Sequence, residues 1–352
     1  MKPAEMTALV NYGPGAGDTE LRTVPVPELT DPYDVILRVE AVGICGSDVH
    51  QWLGRHSWNV NYPVILGHEF TGTIAELGAQ VRAFAVGERV VSETAAVINH
   101  ESAFAKQGLY HLDPERLGFG YGTDGAMAEF VRVPSRLLHR VSSDLPTDLA
   151  VLAEPCCVAY SAVVASGNVR PGQRVLVLGP GPIGLLCAAL ARISGATTVL
   201  VSGVSGDEAR LAVARAMGIE AVMREEVPDL IAGLDDGYGV DVTIDAAGVS
   251  SALQDAIRHT RPGGVIVKVG WGPQPLEFSL DPLVQKAQVL RGSFSHNWSV
   301  WNSVLRLLES GQLDPAPLVS RVDSLKNWRN AFSDMHEGKA MKIVLTPTER
   351  GA

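Results

Sequence analysis

The sequence predicts an α/β protein with two kinds of region: a mainly β, partly barrel-like part and a domain built on a parallel sheet. Two observations carry this. Up to about residue 155, short β-branched runs alternate with Gly, Pro and Asp turns, and no long amphipathic helix comes before Glu154. From Arg174 onwards, apolar strands alternate with helices, the order expected of βαβ units whose sheet is covered on both faces.

The elements follow in chain order. DVILRVEAVGI (34–44), GTIAELG (72–78), VGERVVS (86–92) and AMAEFVRVP (126–134) read as short antiparallel strands bounded by turns. RVLVLG (174–179) is an apolar strand, IGLLCAALARISG (183–195) a helix and TTVLVSG (197–203) the next strand. DEARLAVARAMG (207–218) and SALQDAIRHT (251–260) are helices on either side of the strand VDVTIDAAG (240–248). GGVIVKVG (263–270) is a further strand, and VLRGSF (289–294) is placed to close the sheet. SVWNSVLRLLESG (299–311) is expected as a helix and KAMKIVL (339–345) as a final strand.

A chain of 352 residues suits two domains. Its net charge of -10 argues against a nucleic-acid or acidic-membrane partner. Four cysteines, at 45, 156, 157 and 187, are too few and too irregularly spaced for a disulfide framework. The opening MKPAEMTALV lacks a signal pattern, and no uncharged run approaches the roughly 18 residues of a membrane span. A reducing, cytoplasmic setting is the expectation.

GPGPIG, Gly179 to Gly184, follows a strand and opens a helix, the context that gives this motif its meaning. Gly179 allows the tight turn, Gly181 lets backbone approach a pyrophosphate, and Gly184 permits close helix–sheet packing. The N–H groups of Pro182's successors, beginning with Ile183, face the phosphates at the helix start. A purely structural glycine turn is the alternative. The second strand ends in Ser202 and Gly203 where an NAD site usually places an acid. That removes repulsion towards a 2′-phosphate, for which Ser202, Ser205 and Arg210 are candidate partners. The cofactor expected is NADP or NAD, leaning slightly to NADP.

VGICGSDVH (42–50) puts Cys45, Ser47, Asp48 and His50 within nine residues, and YPVILGHEFTG (62–72) adds adjacent His68 and Glu69. LAEPCCVAY places Glu154 before a helix. Each type has commoner structural uses, and spacing alone does not bring them together. Jointly they would offer sulfur, nitrogen and oxygen donors, a mixture that suits Zn²⁺ with a fourth position left open.

GICGSDVH, GHEFTG, GTDGAMAEFV, LAEP and GPGPIG, in this order and spacing, resemble the zinc-dependent medium-chain alcohol and polyol dehydrogenases over nearly the whole chain. The resemblance implies a catalytic domain built from 1–155 and 294–352, with the nucleotide domain, 156–293, inserted between its two parts. It implies Cys45, His68 and Glu154 as catalytic-zinc ligands of the sorbitol-type and threonine-type pattern, and Glu69 as an alternative ligand. Asp48 would orient His68. Ser47 would pass the alcohol proton towards His50. The implied reaction moves hydride between a secondary alcohol, a polyol or sugar-derived alcohol, and NADP or NAD. A homodimer or homotetramer is expected, with no nucleic-acid or membrane partner.

Two departures stand out. The four thiolates of a structural-zinc lobe are replaced by Ile98, Glu101, Phe104 and Asp113, so no structural zinc is expected, with His100 and His111 read as loop histidines. Where sorbitol-type members present an Arg–Tyr pair to the polyol, this chain has Ser295 and His296. Trp52, Trp58, Tyr121, Phe294, His296 and Trp298 are candidate pocket walls or core fillers, and Asp124 with His296 suggests a polar pocket. Cys156, Cys157 and Cys187 read as packed thiols. Alternatives to the polyol reading are a threonine-type dehydrogenase acting on a β-hydroxy amino acid, and a non-enzymatic dinucleotide-binding protein.

Overall fold

A computed structural model describes residues 3–234, 236–272 and 274–347. The chain forms two compact units, one of residues 1–154, 296–311 and 319–352, the other of 155–295 and 312–318. The strands, in chain order, are β1 (Glu5–Asn11), β2 (Thr19–Pro25), β3 (Asp34–Gly43), β4 (Val64–Ile65) and β5 (Glu69–Leu77). Then come β6 (Arg89–Ser92), β7 (Phe130–Pro134), β8 (Leu138–Arg140), β9 (Arg174–Leu178), β10 (Thr198–Gly203) and β11 (Glu220–Met223). The last are β12 (Val240–Asp245), β13 (Thr260–Lys268), β14 (Val289–Gly292), β15 (Val319–Ser324) and β16 (Lys342–Thr346).

In the first unit, β2-β1-β4 form one small sheet and β15-β16-β3-β5-β6-β8 a larger one, with β7 on the other flank of β3. All these pairs are antiparallel except β15 with β16. The long strand β3 alternates inward-facing Val35, Leu37 and Val39 into a core with Phe70, Phe119, Trp328 and Phe332. At its far end it changes partner: Gly43 pairs with Glu69 at the start of β5 and with Val344 in the middle of β16. Three chain segments distant in sequence therefore meet at one corner.

The stretch 122–131, prominent in the sequence, backs that corner. Gly125, Ala126 and Met127 donate backbone hydrogen bonds to the carbonyls of Ile65, Gly67 and Leu66 at 2.7–2.9 Å. Asp124 is part of the same support, its Oδ1 accepting from the Ile65 N–H at 2.9 Å.

The second unit is a six-stranded parallel sheet in the order β11-β10-β9-β12-β13-β14. Its strand runs are apolar because helices cover the sheet, as Leu176, Leu200, Leu253, Ile257 and Ile266 show by their burial in one cluster. β11 escapes the sequence reading: its four residues sit directly after a helix, too short a run to show a period.

The helical run Thr147–Ser166 is long and apolar enough, by length and composition, to cross a membrane, although it carries Asp148 and Glu154. Within the protein 67% of its apolar window is buried, the position of a core helix. None of the four cysteines is joined in a disulfide. Cys156, Cys157 and Cys187 are buried, and burial pushes the Cys187 thiol well up.

Candidate metal centre and dinucleotide cradle

Cys45 caps the N-terminus of the helix Gly46–Trp52 and is half-buried. Asp48, three residues on, is buried and bridges two candidates. Its Oδ2 accepts the Cys45 backbone N–H at 2.8 Å, and its Oδ1 lies 3.6 Å from Nδ1 of His68. Burial works against a charge on His68, but Asp48, helped by Cys45, outweighs it and holds the imidazole well above its ordinary range.

The β3–β5 register then does the assembling. With Gly43 opposite Glu69, Cys45 and His68 lie just beyond the paired ends. One ligand atom from each of Cys45, His68 and Glu69 lies within 4.8 Å of the others, the one such cluster found among the described residues. Tetrahedral zinc bonds of this donor set space their ligand atoms roughly 3.3–3.8 Å apart, so these residues fit the ion with a small contraction. Gly43 is needed by this approach, since a Cβ there would stand 2.3 Å from Oε2 of Glu69.

Glu69 has a partner that sequence reasoning missed. Lys342, at the start of β16, donates to its two carboxylate oxygens at 2.8 and 2.6 Å and to the Ile44 carbonyl at 2.9 Å. Burial opposes the ammonium charge, but Glu69, with Cys45 and Glu154 near, holds Lys342 above its ordinary range. The available signal was a lysine inside the apolar run AMKIVL, because lysine is almost never fully buried unless paired.

Glu154 is buried and lies within electrostatic reach of His68, Glu69 and Lys342, though outside the three-residue cluster. Its Oε1 is 3.0 Å from Nε2 of His296. Burial pushes its carboxyl up, and the His296 hydrogen bond, with His68 and Lys342 beyond, brings it below the ordinary value. Ser47 is half-buried on the helix Gly46–Trp52, and His50 is exposed on its last turn. Partial burial, with His336 and Arg55 near, lowers the His50 pKa.

The side chains expected as pocket walls or core fillers make these contacts in the fold. Trp52 is a core filler, edge-on to Phe332 and Trp328 at 5.8 and 6.3 Å between centroids. His296 is buried against Glu154 and Trp301, while Asp124 is exposed, with its Oδ1 accepting the Ile65 N–H. Trp298 lies over the ring of His139 at 4.0 Å, and the Tyr121 hydroxyl is hydrogen-bonded by Arg116. Trp58 packs beside His56, and Phe294 beside Trp271 in the second unit.

At the former structural-metal positions, Asp113 organises the loop. It is buried and accepts from the N–H groups of Asn99 and Glu115 and from the Ser102 hydroxyl at 2.8, 2.9 and 3.0 Å. Ile98 packs on the core, Glu101 pairs with Lys106, and Phe104 and His100 are exposed.

In the second unit, the turn Gly179–Gly184 joins β9 to the helix Pro182–Ile193. A Cβ on Gly184 would stand 1.9 Å from the Gly179 carbonyl oxygen, so helix and turn could not close with any larger residue. Gly181 caps the helix without a side-chain hydrogen bond, and a Cβ there would meet nothing within 4 Å. Protein packing thus explains Gly184 but not Gly181, whose open backbone fits a phosphate approaching the first-turn N–H groups of Ile183 and Gly184.

Ser202 is buried in β10, with its carbonyl taken by the Gly179 N–H at 2.9 Å. Ser205 is exposed. Asp207 supplies the acid that the strand end lacks: it packs against Gly203, accepts the Val204 N–H at 3.1 Å and pairs with Arg210 at 3.2 Å. The signal was present four residues past Gly203 and was hidden by the intervening turn.

Comparison with known proteins agrees with this geometry. Residues 31–143 match the family described as alcohol dehydrogenase GroES-like domain, and residues 182–310 match zinc-binding dehydrogenase. The chain is 35% identical to a sorbitol dehydrogenase of Halalkalibacterium halodurans, over 98% of this chain and 100% of that protein. It is 31% identical to a D-arabitol-phosphate dehydrogenase of Enterococcus avium, over 97% of each. A zinc-binding dehydrogenase structure from Sinorhizobium meliloti bound to NADP superposes with a TM-score of 0.88 at 28% identity, covering 98% of this chain and 100% of that one.

Proposed function

The chain belongs to the zinc-dependent medium-chain alcohol and polyol dehydrogenases, and from that premise we propose that it oxidises a secondary alcohol of the polyol or sugar-derived class, reversibly, with NADP or NAD. The observation that carries the reading is the convergence of Cys45, His68 and Glu69 at the β3–β5 corner, with Glu154 in electrostatic reach. A zinc ion there supplies Lewis-acid polarisation of the alcohol oxygen, and the nicotinamide supplies the hydride acceptor.

The chain's own residues hold and move charge around that chemistry. Asp48 orients His68 and fixes the Cys45 backbone, Lys342 balances the buried Glu69, and Glu154 adds a second buried carboxylate. Ser47 and His50, one helical turn apart, give an alcohol proton a route outwards, and the partial burial that lowers the His50 pKa favours the neutral imidazole that accepts it. One catalytic zinc per chain and no structural zinc are proposed. The Asp113 network supports the second half, since it fastens the 98–113 loop with hydrogen bonds.

Cofactor choice is assigned to the Asp207–Arg210 pair. Arg210 gives Nη1 to Asp207 and has further donors for a 2′-phosphate, while Asp207 can take ribose hydroxyls, so both dinucleotides are accepted. The earlier lean to NADP rested on an absent acid and is weakened by Asp207. A homodimer or homotetramer is proposed from the edge strand β14, whose four residues are exposed and include Val289 and Leu290. Four cysteines carried as thiols outside any disulfide support a reducing, cytoplasmic setting.

The test is a matrix of NAD and NADP against polyols, sugars, simple alcohols and threonine, using zinc-loaded protein and judged by kcat/KM, beside metal analysis. A preference for simple primary alcohols or threonine over every polyol would overturn the substrate class, and two tightly held zinc ions would overturn the metal count. A monomer in sedimentation equilibrium at micromolar concentration would remove the oligomer.

A further inference from the structure

His296 stands where the sequence departs from the sorbitol-type Arg–Tyr pair, and the structure gives it an inward task. The preceding Ser295 adopts a left-handed backbone, φ 57°, uncommon for a residue with a side chain. His296 is 2% exposed and Trp301, one turn into the helix Trp298–Glu309, is wholly buried. Trp301 donates its indole Nε1–H to Nδ1 of His296 at 2.7 Å. An indole nitrogen can only donate, so Nδ1 must offer a lone pair, and in the neutral ring the proton sits on Nε2. That nitrogen faces Oε1 of Glu154 at 3.0 Å, which the ring therefore approaches as a donor. Among the described residues this is the one hydrogen bond to the Glu154 side chain, and it leaves Oε2 as an acceptor.

We propose that His296 is a positioning residue: Trp301 fixes its tautomer, and the resulting Nε2–H holds the Glu154 carboxylate in one orientation beside the Cys45–His68–Glu69 cluster. The proposal rests on the metal-site reading above. It adds a specificity consequence, since a side chain engaged at both ring nitrogens cannot also read substrate hydroxyls. A ligand-orienting hydrogen bond of this kind is worth about 10–100-fold in metal affinity or activity.

The experiment combines a spectroscopic and a functional reading. In zinc-loaded, ¹⁵N-histidine-labelled protein, the His296 ring signals are assigned by their disappearance in His296→Gln. They should report the Nε2–H tautomer in the parent and a changed tautomer balance in Trp301→Phe, which keeps an aromatic ring but removes the N–H. Zinc affinity by chelator competition and kcat/KM should fall about 10–100-fold in His296→Leu. His296→Gln should recover most of that loss, because its amide can accept from Trp301 and donate to Glu154. An Nδ1–H tautomer in the parent overturns the proposal. So does a His296→Leu protein with parental zinc affinity and turnover, or a Gln variant no better than Leu. If the parent protein oxidises no alcohol, the dehydrogenase reading fails, while the tautomer and zinc affinity still decide the role of His296.

Discussion

Replacing Lys342 by methionine should destabilise the first unit markedly, and more in metal-free than in zinc-loaded protein. The side chain is 3% exposed and its ammonium makes three hydrogen bonds of 2.6–2.9 Å. Methionine fills a similar volume, so the loss falls on the groups left behind. Glu69, 1% exposed, loses its cation, and removing one partner of a buried ion pair costs about 3–5 kcal/mol. The Ile44 carbonyl adds about 1 kcal/mol. At ~2–4 °C per kcal/mol for domains of 150–250 residues, melting should fall by roughly 8–24 °C. Zinc places positive charge beside the same carboxylate, so loading should recover part of the deficit. Glu69→Gln leaves the ammonium unpaired and should be similarly harmful, whereas the double variant removes both charges and should lose far less than the two single losses together. Thermal unfolding of the four proteins, with and without zinc, reads all of this. A Lys342→Met protein melting within about 2 °C of the parent, or a double variant showing the full summed loss, would refute the electrostatic argument.

Three further outcomes are expected. Gly181→Ala should melt like the parent yet bind dinucleotide more weakly, whereas Gly184→Ala should lose both stability and binding, because only its Cβ collides with the protein; equal melting losses would contradict the assignment of Gly181 to the ligand. Asp207→Ala should raise the NADP-over-NAD ratio of kcat/KM by roughly tenfold, about 1.4 kcal/mol, by freeing Arg210, and an unchanged ratio would remove that pair from cofactor choice. Burial, with Arg116 close by, pushes the His111 pKa down to about 4. The unfolded chain therefore takes up this proton first as pH falls, so the contribution of His111 is complete above about 6.5 and is lost progressively towards pH 4. His111→Gln should flatten the stability–pH curve across that window, and an unaltered slope would show that His111 does not titrate there.

The sequence made the second unit's architecture legible because apolar runs of five or more residues between helices leave little choice of sheet. The first unit was legible only as strands and turns. Which ends of β3, β5 and β16 meet depends on long-range register, and nothing local announces that Gly43 faces Glu69. The same limit hid Lys342 and Asp207, whose importance lies wholly in a partner reached through the fold. His296 shows the opposite limit. Polar residue type suggested a polar pocket, but its ring is held inside the protein by Glu154 and Trp301.

Glu69 and its cation are 273 residues apart in the chain. At about 5–20 residues per second, a ribosome that has delivered the carboxylate needs roughly 15–55 s more to deliver Lys342. The entire second unit is synthesised in that interval, as are the β-strands and helices that follow it up to β16. Throughout it, the Cys45–His68–Glu69 corner of the nascent protein lacks the charge that makes its burial tolerable. The cation that balances Glu69 thus arrives with β16, the last piece of this corner to be made.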